Sequence, residues 1–306
     1  MVYKAPESTS TLATESVSSG LLPTPRSAIA YGTKDGGEKT AYLVRDAILN
    51  GFRHIVTSGN HQKHNESGVG IGWKMAIEEH PQKSLKRSDL FLQTMFVPWD
   101  GTDFRRLDTT QVTPTISQQV TQTVEQSLRN LQTTYIDAML YHNFRATLHP
   151  YEDMIQAWRV LENYVQRGII RYLGISNIHD ETYFQRLYND SIIKPSIVQN
   201  RFHSNRGFDV TLRPLFQRHH LVIQRFWVLN GNGDGVKRNL EVARQKGVTP
   251  EQLMLAFVMT MGDTPLVGTH SLQHMMEDIQ ISRQYRELFT TDSERAEYAK
   301  SIGIKS

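Results

Sequence analysis

The chain has 306 residues, 39% of them hydrophobic, enough for one large α/β barrel or two ordinary domains with a full buried core. Its 34 basic and 31 acidic residues give a net charge of only +3 with no Lys/Arg block, which argues against a nucleic-acid partner; the absence of cysteine excludes disulfides, thiolate nucleophiles and cysteine-liganded zinc. No apolar run reaches the roughly 20 residues of a membrane span, and the Ser/Thr-rich start of the chain lacks a signal core. The expectation is a cytoplasmic protein with a small-molecule partner, no membrane partner and no metal.

In chain order, residues 1–22 read as a flexible N-terminal arm and 23–306 as one domain. A short strand at 27–31, ending in Gly32-Thr33, precedes a helix at 38–50 whose Ala41, Val44, Ala47 and Ile48 share a face and which stops at Gly51. Residues 53–56 form a β-branched strand and 57–65 a polar loop holding His61 and His64; Glu66 opens a helical pattern through Val69, Trp73, Met75 and Ile77. A buried strand at 89–94, a long loop at 96–114 and a helix at 115–131 come next. Strand four spans 135–141, an amphipathic helix at 151–167 closes on Gly168, and strand five spans 171–175. Strands six and seven fall at 196–199 and 221–225, separated by a helical segment near 210–219.

The Gly-rich run 230–235 has neither phosphate-loop spacing nor a Lys-Ser/Thr ending, and reads as a mobile loop leading to a helix that stops at Gly247. Thr249-Pro250-Glu251 supplies an N-cap, a first-turn proline and an early acid for a helix to about 261. Strand eight is 264–267 and the last helix 272–281. Eight strand–helix units without a linker-like break predict a single parallel (β/α)8 TIM barrel, whose function gathers on the loops after the strands.

The stretch Gly51-Phe-Arg-His-Ile-Val-Thr-Ser58, with Asn65-Glu66 and Val69-Gly70 beyond it, resembles the second strand and active-site loop of the aldo-keto reductases. That family carries there Gly-aromatic-Arg-His-Ile-Asp-Thr-Ala, then a Tyr, Asn-Glu and Val-Gly. The resemblance runs from Tyr31-Gly32-Thr33 to Glu277-Asp278, and the long loop at 96–114 is most similar to fungal members. It implies the barrel, an NADP(H) cofactor, and roles for matched positions. Tyr135-Ile-Asp-Ala-Met-Leu-Tyr-His142 matches the strand whose terminal His is catalytic. Leu173-Gly-Ile-Ser176-Asn177 and Pro195-Ser-Ile-Val-Gln199 match the segments that hold the nicotinamide carboxamide, and Phe226 falls where a Tyr stacks on its ring. Gly32 and Thr33 belong to the same cofactor-binding set. Val267-Gly268-Thr269 with Glu277 matches the adenosine-phosphate segment, where His274 and His270 replace the basic residues that grip the 2'-phosphate.

Three of the family's four catalytic positions differ. Val56 stands for the Asp, Met95 for the Lys, and His64, or else His61, for the Tyr; His142 alone is kept. The changes are mutually consistent, because a phenol near pKa 10 needs a neighbouring cation to give a proton at neutral pH whereas an imidazole near 6.5 does not. Val56, Met95, Phe96, Trp99, Trp227 and Phe226 are expected to line an apolar cleft. The bland alternatives are a solvated loop for His61 and His64, strand-end packing for His142, and strand-end hydrogen bonding for Ser176, Asn177 and Gln199. The leading expectation is a non-redox enzyme of specialised metabolism, with His64 and His142 as general acid and base for isomerisation, dehydration or cyclisation of an apolar carbonyl compound, and with NADP(H) binding weakened or lost. The alternatives are an NADP(H)-dependent carbonyl reductase using His64 in place of the Tyr, and a non-catalytic binding or regulatory protein on the same barrel.

Overall fold

The computed structural model describes residues 28–99, 114–142 and 150–305. Eight parallel strands, β1 (Ala30–Gly32), β2 (His54–Val56), β3 (Phe91–Phe96), β4 (Ile136–His142), β5 (Ile170–Ser176), β6 (Ile197–Arg201), β7 (Val222–Phe226) and β8 (Thr264–Val267), pair in sequence order and close on themselves, β8 against β1. This is the (β/α)8 barrel expected from the alternation. Around it run α1 (Thr40–Asn50), α2 (Glu66–Glu78), α3 (Ile116–Asn130), α4 (Tyr151–Gln166), α5 (Glu181–Asp190), α6 (Arg213–Arg218), α7 (Gly233–Arg238), α8 (Leu240–Gln245), α9 (Pro250–Thr260), α10 (Leu272–Leu288) and α11 (Asp292–Ser301). No helix among the described residues is long and apolar enough to cross a membrane. The arm expected at residues 1–22 lies outside them.

Four of the strands, β3, β4, β6 and β7, start and end one or two residues later than the sequence patterns suggest, and β8 falls where expected. Two helices are unanticipated. α5 is short, with Phe184 and Leu187 buried on one face and Tyr183 and Tyr188 beside them, whereas α11 buries only Tyr298 and writes no clear apolar stripe. Their N-caps are nevertheless well formed: Asp180 accepts from the Tyr183 N–H, and Thr291 and Glu294 make a reciprocal capping box. The Gly-rich run 230–235 is not an open loop. Asn232 is buried and donates through Nδ2 to the carbonyls of Phe202 and Val228, which ties the end of β7 to the end of β6, and α7 begins at Gly233.

Strand residues at alternate positions point inward. Val56, Phe91, Met95, Ala138, Leu140 and Ile197 form an apolar cluster in the lumen. Phe96, the next residue after Met95, points the other way and packs against Tyr141 in the outer core between barrel and helices, so it is not part of the cleft wall expected of it.

A polar layer crosses the lumen in the midst of this packing. Gln93 and Gln224 exchange amide hydrogen bonds of 2.8 Å in both directions, Gln199 Nε2 donates to Gln224 Oε1 at 2.7 Å, and His54 Nε2 lies 3.1 Å from Gln93 Oε1. Each of these two amide oxygens therefore accepts twice, which suits its two lone pairs.

The Asn65-Glu66 pair opens α2. Asn65 Oδ1 caps Gly68 N at 2.8 Å. Glu66 is buried and accepts from Thr94 on β3 and from Ser127 and Asn130 on α3, so its carboxylate fastens the helix that follows the polar loop. α2 also approaches its neighbours closely: a Cβ at Gly70 would stand 2.2 Å from the Asn130 carbonyl, and one at Gly72 2.4 Å from that of Ala41.

Outside the barrel wall, fully buried Arg225 is clamped by Asp209 and Asp263, and Asp263 also binds Arg213. Removing one member strands opposite charges away from water. Arg225→Met is expected to lower unfolding free energy by roughly 3–5 kcal/mol, read from urea denaturation; a change below about 1 kcal/mol would show the cluster to be energetically idle.

Candidate active site

The inward-facing residues at the carboxyl ends of the strands define a continuous polar arc. On β4, His142 ends the strand in register with Ser176, and Ser176 is in register with Gln199 on β6. Asn177 Nδ2 lies 3.2 Å from His142 Nε2 and 3.2 Å from Ser176 Oγ, and Ser176 Oγ donates to the Gln199 carbonyl at 3.1 Å. An amide nitrogen can only donate, so His142 Nε2 accepts and a neutral ring carries its proton on Nδ1. Asn177 reaches this position from a left-handed backbone, φ 61°, a conformation asparagine tolerates better than most residues.

His64 closes the arc from the β2 side. The start of its loop continues alongside β3, with Thr57 N donating to Gln93 O and Gly59 N to Met95 O. It then turns tightly, Lys63 N and His64 N both donating to Asn60 O, and Asp35 N secures the Lys63 carbonyl. His64 Nδ1 lies 3.5 Å from Thr33 Oγ1, and Nε2 has no partner among the described residues. His61, three residues earlier, is exposed on the outside of the turn and takes no part in the arc.

Burial holds both imidazoles at about pKa 4. For His64 the loss of solvent is the largest cause, opposed by Asp35 and reinforced by Lys34, His142 and Lys63; for His142 burial is the cause. A charge on His142 would thus further disfavour one on His64. His54 in the lumen is likewise pushed down to about 4 by burial, against a hydrogen bond that it donates to Gln93 Oε1 and that favours its charged form. At neutral pH all three are uncharged. This changes the chemistry expected from an imidazole near 6.5: the rings are hydrogen-bonding groups and weak bases at pH 7, not stored acids.

Val56 and Met95 are buried in the lumen close below the arc, so the positions named for the missing carboxylate and ammonium are apolar packing. Phe226 ends β7, half-buried, and Trp227 follows it at φ 61° with 43% of its surface exposed. The Trp99 N–H donates to Gln119 Oε1, anchoring that residue to α3.

At the β1/β8 end, Gly268 comes so near β1 that a Cβ would lie 3.2 Å from the Gly32 carbonyl. Tyr31 OH donates to the Thr269 carbonyl, Thr269 Oγ1 sits 3.4 Å from His274 Nδ1, and Ser271 caps α10. His270 and His274 are exposed. Glu277 is engaged by Gln273 at 2.9 Å. The donor set accommodates a nicotinamide amide at Ser176, Asn177 and Gln199, although Gln199 Nε2 is committed to Gln224. The β8 end offers hydroxyls and imidazoles but, from Gly268 to Asp278, no lysine or arginine for a 2'-phosphate.

Several contributors were not anticipated from the sequence: His54, Gln93 and Gln224 beneath the arc, and Arg201 at its β6 end. The available signal was the two-residue period, since each shares the inward parity of a residue that was singled out: His54 with Val56, Gln93 with Met95, Arg201 with Gln199, and Gln224 with Phe226.

A closed (β/α)8 barrel with its polar side chains gathered at the carboxyl ends of the strands defines the class of barrel proteins that place their chemistry there. Within that class the chain belongs to the aldo/keto reductase family, whose model matches residues 28–223. It is 27% identical over 238 residues to a methylglyoxal reductase DkgA of Yersinia pestis, covering 74% of this chain and 72% of the relative. It is 31% identical over 170 residues to a glyoxal reductase of Bacillus subtilis, covering 55% of this chain and 51% of the relative. A solved aldo-keto reductase from a deep-sea metagenome library superposes with a TM-score of 0.73 at 18% identity, covering 91% and 92% of the two chains. The aldose reductase of Schistosoma japonicum does so at 0.71 and 22%, covering 91% and 89%.

The lowered histidine pKa values set an acid sensitivity. A group depressed from 6.5 to about 4 contributes stability that is full above pH 6.5 and is lost as pH falls through 4. Between pH 7 and 5, fully buried His54 alone accounts for roughly 2 kcal/mol of decline, with His64 and His142 adding in the same direction. Urea unfolding of the wild type and of His54→Gln at both pH values measures this; equal pH dependence in the two proteins would contradict the burial of a neutral ring at 54.

Proposed function

We propose that the protein is a nicotinamide-dependent carbonyl oxidoreductase in which neutral imidazoles, rather than a phenol, face the substrate oxygen. The observation that carries this reading is the hydrogen-bonded run from His142 through Asn177 and Ser176 to Gln199, spanning the ends of three adjacent strands. Membership of the aldo/keto reductase family and the reductase names of its relatives support it.

A bound nicotinamide supplies or accepts the hydride. Ser176, Asn177 and the remaining carbonyl of the Gln199 side chain would orient the carboxamide, and the Phe226 ring offers an aromatic face beside it. His64, whose Nε2 has no partner among the described residues, can donate an N–H hydrogen bond to the carbonyl oxygen in its Nε2–H tautomer. As hydride arrives, that bond strengthens with the negative charge on oxygen, which is where transition-state stabilisation is gained. A neutral imidazole serving as an electrophile has precedent in triosephosphate isomerase. The proton that completes the alcohol then comes from solvent through the ring, since an imidazole with pKa near 4 carries no spare proton at pH 7.

The order of preference differs from that expected from the sequence, because the non-redox scheme relied on one ring being an acid at neutral pH. A specific observation still favours acid–base chemistry as a second reading. Val56 and Met95 leave the site without a carboxylate–ammonium couple, and neutral rings are competent, if weak, bases.

Fluorescence titration with NADPH and NADH separates the two. Saturable binding of both is expected, with dissociation constants within about tenfold (about 1.4 kcal/mol) because the β8 end lacks a cation. Absence of binding by either would remove the reductase reading and leave the second. Given binding, turnover of methylglyoxal and of an apolar aromatic aldehyde should fall roughly 100- to 10,000-fold in His64→Ala with nucleotide affinity retained. Unchanged turnover in that variant and in His142→Ala would rule out the histidines as the oxygen-facing groups.

A further inference from the structure

We propose that Arg201 is an oxyanion-binding residue at the mouth of the barrel, holding either a phosphate of the dinucleotide or a carboxylate of the substrate. The inference rests on the reading of that mouth as a ligand site, and it is independent of which reaction occurs there.

Arg201 is the last residue of β6, on the same inward face as Gln199 and in register with Phe226. Its guanidinium carbon lies 4.0 Å over the Trp227 ring and 5.7 Å from the Phe226 ring. Trp227 holds its place from a left-handed backbone, φ 61°, uncommon for a bulky residue, and Gly231 N and Asn232 Nδ2 both donate to its carbonyl. The aromatic shelf under the cation is therefore built by the chain, not by chance contact on the surface.

Stacking occupies the face of a guanidinium and leaves its edge, where all five N–H donors lie in one plane. No described residue meets that edge with a hydrogen bond. Arg201 Nε is buried without a hydrogen-bond partner, and among the described residues no carboxylate pairs with the side chain. Other buried or half-buried arginines have acceptors: Arg87 meets Asp137, Arg213 and Arg225 share Asp263, and Arg53 donates to the Ile48 and Phe52 carbonyls. A donor fork stacked on aromatics and free of any acid suits a planar or tetrahedral oxyanion, which accepts two parallel N–H bonds.

A purely structural role, cation–π packing of the β6 and β7 ends, would be served by the stack alone. It does not account for an in-plane donor kept from water with no partner among the described residues; Arg225 Nη2 is unmatched too, but that cation is already held by two carboxylates, whereas no described acid stands beside Arg201. The two oxyanion sources differ in what they would show. Phosphate binding would make nucleotide affinity depend on Arg201; carboxylate binding would make affinity for a charged substrate depend on it while sparing the nucleotide.

Calorimetric titration of the full chain tests both, using NADPH on one arm and 4-carboxybenzaldehyde with its uncharged methyl ester on the other. Arg201→Met, which keeps an unbranched apolar stem, is expected to weaken NADPH or 4-carboxybenzaldehyde at least tenfold, to leave the methyl ester within twofold, and to flatten the salt dependence of the affected ligand. Arg201→Lys should recover part of the loss, and it serves alone if the Met variant does not fold, since a point charge without the fork should still bind several-fold more weakly than wild type. Unchanged affinity for both charged probes in a folded variant, or failure of the wild type to bind either, overturns the proposal. A wild type that ignores NADPH but binds the carboxylate through Arg201 would sink the reductase reading and keep this one; NADPH-dependent turnover indifferent to Arg201 in both probes would do the reverse.

Discussion

The amide pair between Gln93 and Gln224, exchanged across the barrel from β3 to β7, is the constraint on which the site's geometry depends. It is an isolated polar crossing in an apolar lumen, so it keeps its partners at low dielectric or leaves amides unsatisfied. Gln199 hangs from one end of it and His54 from the other. Through Gln199 the carbonyl that receives Ser176 Oγ is fixed, then Asn177, then His142. The polar arc is in this sense the upper edge of a network that begins in the floor of the barrel.

The same dryness that makes the floor rigid determines the charge state above it. His54, His64 and His142 lie in a shared water-poor region, and each is neutral at ordinary pH because ionisation there would go uncompensated. A site of this kind gains little from proton storage and more from fixed hydrogen-bond direction. Val56 and Met95 are in keeping with this, since they bring only apolar surface to that lumen.

The barrel itself was legible because its signals are local: β-branched runs ended by glycine, the Thr249-Pro250-Glu251 helix start, and polar loops after strands. His142, Ser176, Asn177 and Gln199 were legible through their places at strand ends. What escaped were features set by contacts distant in sequence. Phe96 and Met95 are adjacent and apolar, and only the barrel wall decides that one faces the lumen and the other the helices. Likewise, the choice between His61 and His64 depends on the hydrogen-bonded turn at Asn60, and the lowered pKa values on burial that composition does not reveal. Nothing local marks Arg201, because the Trp227 ring beneath it comes from the end of a different strand.

The close approach of α2 to α1 and α3 has a reach beyond packing. Because Gly70 and Gly72 set the distances to the Asn130 and Ala41 carbonyls, and Asn65 and Glu66 begin the same helix, the placement of His64 is inherited from how near three helices can come. A single added methyl at either glycine would push on backbone, with no flexible side-chain end to yield, and the displacement would be passed along the helix axis to the imidazole one residue before its cap. The position of the His64 ring is thus governed from the periphery of the molecule, and the spacing of the outer shell shapes the mouth as much as the residues lining it.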